Sequence, residues 1–176
     1  MTETVRETKG RKINVRILVL MALLTAMEVV LSRFLSYAVW SMKIGFAFVP
    51  VVVAAIMLGP VQTAIVGGLA DFLGAILFPI GAYFPGFTLT AALMGLVYGL
   101  FLYRKQTFPR VLGAVVINQL ILSLILNTLW ISVLYDSVFG PLLVTRLTQC
   151  AILIPVQILV IVLMTKTLGK FLRQKA

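Results

Sequence analysis

The sequence predicts an all-α integral membrane protein, a bundle of six transmembrane helices with both termini in the cytoplasm. Three observations carry this. Of 176 residues, 61% are hydrophobic and only 11% are charged, with a mean hydropathy of +1.12. Soluble domains run at roughly 45–50% apolar and about 25% charged. A spanning helix needs about 20 apolar residues, so this length holds about six or seven spans with short tails and no separate soluble domain. The basic residues, finally, gather in three clusters beside apolar runs, as at the cytoplasmic ends of membrane helices.

In chain order, residues 1–12 are polar without apolar periodicity and read as a disordered cytoplasmic tail; residues 13–176 form one transmembrane domain. The first span covers roughly 13–32, too long for the apolar core of a signal peptide and followed by more spans. A polar connector, 32–43, precedes a second span at roughly 44–58 that ends at Gly59-Pro60. That span is short, so part of the connector is expected to be helical or re-entrant. The third covers roughly 61–78, and the Gly-, Pro- and aromatic-rich run 78–86 reads as an ordered turn. The fourth covers roughly 87–103, the fifth 111–134 and the sixth 142–165, with Asp136 and Gly140-Pro141 between the last two. An even number of spans puts the N-terminal tail, the 104–110 loop and the C-terminal tail on one side, with 12 of the 15 basic residues. By the positive-inside rule that side is the cytoplasm.

Composition also excludes functions. The chain has no His and a single Cys, Cys150, so the commonest metal ligand, a thiolate cluster and a disulfide framework are all missing. Five acidic residues leave little for paired-carboxylate catalysis, and no nucleophile–base pair stands out. No GxxxxGK[ST] run exists, so the chain has no P-loop for ATP. Nucleic-acid binding needs basic residues interleaved with aromatics on a soluble scaffold, and this chain has neither. No metal or cofactor is expected.

Ionisable groups at membrane depth are costly and point to function. Helical rise places Glu28, Asp71, Asn127, Arg146 and Gln149 roughly 7–12 Å below the outer ends of their helices. Asn118 and Gln157 lie deeper. Such a layer reads as a pocket open to the outside, or as interhelical hydrogen bonds worth about 0.6–2 kcal/mol each. Helical phase favours the pocket: Arg146, Gln149 and Gln157 fall within about 80° on the sixth helix, and Ser123, Asn127 and Trp130 form one stripe on the fifth. Trp130 suits either pocket lining or an interfacial belt. Arg33, Lys43 and Arg146 near the mouth suggest an anionic ligand, although Asp71 is a possible partner for Arg146. Tyr37, Trp40, Tyr83, Phe84 and Phe87 crowd the same side and suit a flat ring. On the first helix, Ala22 and Ala26 form a close-approach pair, with Glu28 pointing nearly the opposite way.

Several segments in order resemble a known family: SRFLS (32–36), KIGFAFVP (43–50), LGP (58–60), GGLADFLGA (67–75), FPIGAYFPGFTLTAAL (78–93), YGLF (98–101), NTLW (127–130) and TRL (145–147). They resemble the S components of energy-coupling factor (ECF) vitamin transporters, above all the folate-specific branch. The resemblance implies a high-affinity folate-binding subunit in the bacterial cell membrane that captures its ligand outside. It implies docking, through Ala22 and Ala26, on the coupling subunit EcfT, which carries two ATPase subunits. It also implies inward carriage by toppling of the whole subunit, with the loops after the first and third helices closing the site. The expected ligand contacts are Arg33, Lys43, Asp71, Tyr83, Phe84, Phe87, Asn127, Trp130, Arg146 and Gln149. Competing readings are an S component for another pterin or a pyrimidine-type vitamin, and a structural or channel subunit without a small ligand.

Overall fold

The computed structural model describes residues 15–39, 42–136 and 139–173, and the side chains of 37–39, 42–44, 139 and 168–173 lie outside that description. The tail expected at 1–12 falls outside it too. The bundle opens with α1 (Val15–Arg33) and an antiparallel hairpin of β1 (Ser36–Val39) and β2 (Met42–Gly45). Then come α2 (Phe48–Met57), α3 (Pro60–Leu77) and α4 (Pro85–Leu102). A 28-residue fifth membrane helix, Phe108–Tyr135, runs through α5 (Phe108–Val116), a π-helical segment (Ile117–Leu126) and α6 (Asn127–Tyr135). The last helix is α7 (Phe139–Arg173). Five helices are long and apolar enough to cross a bilayer, and α2 is a shorter apolar one, so the expected set of six is present.

The connector differs from expectation. Its first two residues, Ser32 and Arg33, do end α1, but beyond them Ser36 pairs with Gly45 and Val39 with Met42 in a hairpin that was not expected. A further helical turn would leave its end groups unpaired. The hairpin satisfies the same backbone groups across two strands, and the Ser36 hydroxyl ties it to α1 by donating to the Leu31 carbonyl at 2.8 Å. Gly45 is required at its register position, because a Cβ would run into the Ser36 side chain.

Local chemistry sets the helix boundaries. α3, α4 and α5 each begin with a proline in the first turn, where the missing N–H costs nothing. Gly59 precedes α3 at φ 96°, a conformation that favours glycine. Asp136 ends α6 in the left-handed region, which a short polar side chain tolerates.

One half of the bundle is packed solid. α2 is apolar all round, and Pro50, Val51, Val52, Ala54, Ala55 and Ile56 are buried, as expected of a helix enclosed by others. Val52 and Ala55 pack with Tyr98, Leu102, Val111, Val115 and Ile161 at the end carrying the α4–α5 loop. α3 and α4 approach closely through glycines. A Cβ on Gly67 would come within 2.8 Å of the Ala91 carbonyl, and one on Gly95 or Gly99 would collide with the backbone of Thr63 or Pro60. In lipid, where the hydrophobic effect does not hold helices together, such close packing does.

Replacing Gly99 by Leu should therefore force α3 off α4. Overpacking of this kind costs about 1–3 kcal/mol, read as a lower thermal midpoint of detergent-purified protein. Gly140→Ala, where an added Cβ meets nothing within 4 Å, should leave the midpoint unchanged or slightly higher.

Candidate ligand-binding site

The other half of the bundle is hollow. A cavity of about 400 Å³ opens at the end carrying the hairpin and the α3–α4 loop. Each wall comes from a different element. α1 supplies Arg33, α3 Asp71, α4 Phe87 and Met94, the fifth helix Gln119 and Asn127, and α7 Arg146 and Gln149. Gln157 and Leu153 lie deeper on α7, and Tyr83 comes from the α3–α4 loop.

Arg33 reaches inward because Gly74 leaves room: a Cβ there would sit 2.7 Å from the guanidinium Nε. Asp71 lines the same cavity from α3. Its Oδ2 accepts a hydrogen bond from the Thr88 hydroxyl at 2.9 Å, and that hydroxyl lies 3.3 Å from the Tyr83 hydroxyl. Asp71 is thus bonded to Thr88 on the wall that Arg33 also lines. Arg146 is buried on α7, with the buried Cys150 one turn along. Arg146 is only 7% exposed.

Three buried polar atoms of lining residues have no hydrogen-bond partner among the described residues: Nε of Arg33, Nη1 of Arg146 and Oδ1 of Asn127. A buried polar atom left unmatched costs about 1–3 kcal/mol, and most native structures avoid it. Here two donors and an acceptor converge on one cavity, an arrangement suited to a ligand with anionic and amide-like groups. Below them the floor is only partly satisfied, since Asn118 Oδ1 is also buried without a partner among the described residues. The Tyr98 hydroxyl donates to Gln157 Oε1 at 3.1 Å, and Asn118 Nδ2 donates to the Met94 carbonyl at 3.3 Å.

Of the residues expected from sequence, Arg33, Asp71, Tyr83, Phe87, Asn127, Arg146 and Gln149 line the cavity. Phe84 and Trp130 stand behind it. Their rings pack 5.5 Å apart, Phe84 also contacts Phe87 at 6.2 Å, and Trp130 Nε1 donates to Thr90 Oγ1 at 2.9 Å. Gly86 makes that packing possible, since a Cβ there would lie 2.6 Å from the indole. The Lys43 side chain lies outside the described residues, as do those of Tyr37 and Trp40. Glu28 is half-buried on α1 and is not among the lining residues. Gln119 and Tyr135 line the cavity although helical phase did not point to them. Ala22 and Ala26 are exposed on the far side of α1, in an apolar groove shared with Leu69, Leu73 and Leu77 of α3.

The cavity is mostly apolar with a few polar groups set into it, and comparison with known proteins decides what kind of membrane protein carries it. The family model described as "ECF transporter, substrate-specific component" matches residues 16–165. The chain belongs to this family. Its members are substrate-specific components of transporters, not enzymes, and this S component is a multi-pass membrane protein. It is 42% identical over 152 residues to the folate transporter FolT of Clostridium novyi (strain NT), covering 86% of this chain and 87% of that one. It is 32% identical over 165 residues to FolT of Leuconostoc mesenteroides subsp. mesenteroides, covering 90% and 89%. A crystal structure of FolT bound with folic acid matches this S component with a TM-score of 0.82 and 36% identity, over 85% of this chain and 92% of that one.

The Thr88 hydroxyl is the group that holds the Asp71 carboxylate. Hydrogen bonds to charged groups contribute about 1.5–3 kcal/mol, so Thr88→Val should lower the thermal midpoint of the purified S component by a corresponding amount. Thr148→Val removes an exposed hydroxyl bonded only to its own helix at the Val144 carbonyl, and should change little.

Proposed function

We propose that this S component binds folate from outside the bacterial cell and delivers it inward when docked on an energising module of EcfT and two ATPase subunits. The observation that carries the reading is the pair of buried guanidinium donors, Arg33 and Arg146, facing one cavity with an aromatic wall at Tyr83 and Phe87. Folate has a flat pterin, an aromatic aminobenzoate and a glutamate with two carboxylates. Arginine pairs with carboxylate through charge-assisted, often bidentate bonds. The rings suit the aromatic wall, and Asp71, Asn127 and Gln149 suit the pterin's amino and ring N–H groups. The cavity volume falls within the range of about 300–1,000 Å³ usual for small-molecule sites. The likeness to FolT supports the same ligand.

Both termini then lie in the cytoplasm with Arg104, Lys105 and Arg110, and the cavity faces out. EcfT is assigned to the groove at Ala22 and Ala26, where small residues let a partner helix approach.

Thermal unfolding across a vitamin panel tests the ligand. Folate at 100 times its dissociation constant should add about 2.7 kcal/mol of stability, and a larger gain from a pyrimidine-type vitamin would reassign the site. Arg146→Met tests the anionic contact. Loss of one buried charged contact costs about 2–5 kcal/mol, so folate should weaken roughly 30- to 5,000-fold in a binding titration while a pterin lacking glutamate is hardly affected. Equal losses for both ligands would move Arg146 away from the glutamate.

Ala26→Trp tests the groove. Uptake by cells should be abolished while folate binding to the isolated protein stays intact. Lost binding with retained assembly would reverse the two faces.

A further inference from the structure

The fifth membrane helix keeps an unusual period. Gln119, Ser123, Asn127, Ile131 and Tyr135 all line the cavity, each four residues after the last. On the opposite side Ile121, Ile125, Leu129 and Val133 are all exposed, with the same spacing. A uniform α-helix cannot do this. At 100° per residue a step of four gains 40°, so a five-member row would drift by about 160° and half of it would leave the cavity.

The π-helical segment removes the drift. Its hydrogen bonds span five residues, as the Asn127 N–H donating to the Leu122 carbonyl shows. With roughly 4.4 residues per turn, each residue of a π-helix rotates by about 82°. A step of four then falls about 32° short of a full turn instead of overshooting it by 40°. Gln119 to Asn127 lies on the π side of the junction, and Asn127 to Tyr135 on the α side. The two drifts oppose each other, and the whole row stays within about 80°. The wide turn is also supported from α7: the buried Cys150 thiol donates to the Gln119 carbonyl at 3.3 Å.

We propose that the segment Ile117–Leu126 is a phase corrector that turns Gln119 and Ser123 onto the ligand, so that one helix presents a continuous wall from the cavity floor to its mouth. Gln119 and Ser123 thereby join Asn127 as specificity-determining residues. The proposal rests on the cavity being the folate site.

A cysteine-accessibility scan tests it in the full chain. Cys150→Ser gives a background without other thiols and keeps a donor for the Gln119 carbonyl. In that background Gln119, Ser123, Leu120 and Leu124 are each replaced by Cys, and the protein is exposed to a small water-soluble thiosulfonate, with and without folate. The π phase predicts labelling at 119 and 123 at least about tenfold faster than at 120 and 124, because only a water-exposed thiol ionises readily. Folate should protect both reactive positions. In the same background, Gln119→Leu should weaken folate at least about tenfold, the buried polar contact being lost, and Leu120→Ala should not. Faster labelling at 120 and 124 would mean a uniform α phase and overturn the proposal, whatever folate does. Labelling at 119 and 123 that bound folate leaves unprotected would also overturn it, since the wall would face away from the ligand. A protein that labels in the π phase yet binds no folate would instead refute the ligand assignment.

Discussion

A polar group placed in hydrocarbon has no water to fall back on, so it must find its partner inside the protein or in a ligand. Much of this fold follows from that constraint acting on Arg146. Its side chain is buried on α7, with Nη1 unmatched among the described residues. An arginine there is tolerable only if it faces a polar interior. α3, α4 and the fifth helix accordingly turn Asp71, Gln119, Ser123 and Asn127 toward the same space, and outward-facing positions such as Leu69, Ile121 and Val133 are apolar. The hollow half of the bundle is the consequence.

The solid half makes the hollow one possible. A cavity gives up packing, and the loss has to be offset elsewhere in the same bundle. Here the offset is at the opposite end, where α2 is enclosed and α3 lies against α4 at glycine distance. The shortness of α2 belongs to the same division. Its 10 residues span only about half the hydrocarbon thickness. The hairpin before it satisfies its own backbone and brings Ser36 and Gly45 to the cavity.

What the sequence disclosed, and what it hid, divides along helical regularity. α7 stays α-helical past the cavity, even through Pro155, so simple phase put Arg146, Gln149 and Gln157 on one face, and all three line the cavity. The fifth helix is irregular, and a uniform 100° phase placed Trp130 with Asn127 while passing over Gln119 and Tyr135. In the structure Trp130 turns toward Thr90 of α4, and the row advances in steps of four. The cue was present as two interleaved four-residue periods, polar and apolar, but a period of four is compatible with several helix geometries until backbone hydrogen bonds choose one. The hairpin was hidden for a different reason: SYAV and MKIG are too short and too mixed in character to outweigh an expectation of helix. The family resemblance, by contrast, lay in turn and cavity segments such as KIGFAFVP, whose residue order does not depend on helix phase.

Two helices, α1 and α3, separate the proposed ligand site from the groove proposed for the coupling subunit. On α3, Asp71 and Ala75 face the cavity while Leu69, Leu73 and Leu77 face the groove. On α1, Arg33 reaches the cavity from the last turn while Ala22 and Ala26 open the groove further down. Any shift of α3 against α1 that opens or closes the groove also moves Asp71 relative to Arg33. Both side chains line the cavity. Under the proposed function, a partner helix entering the groove and a ligand seated in the cavity therefore bear on one shared partition. Linkage requires that whatever free energy one contributes to the position of α3 is felt equally by the other. In a bundle whose opposite end is locked by glycine contacts between α3 and α4, such a shift is confined to the hollow half, the proposed ligand site.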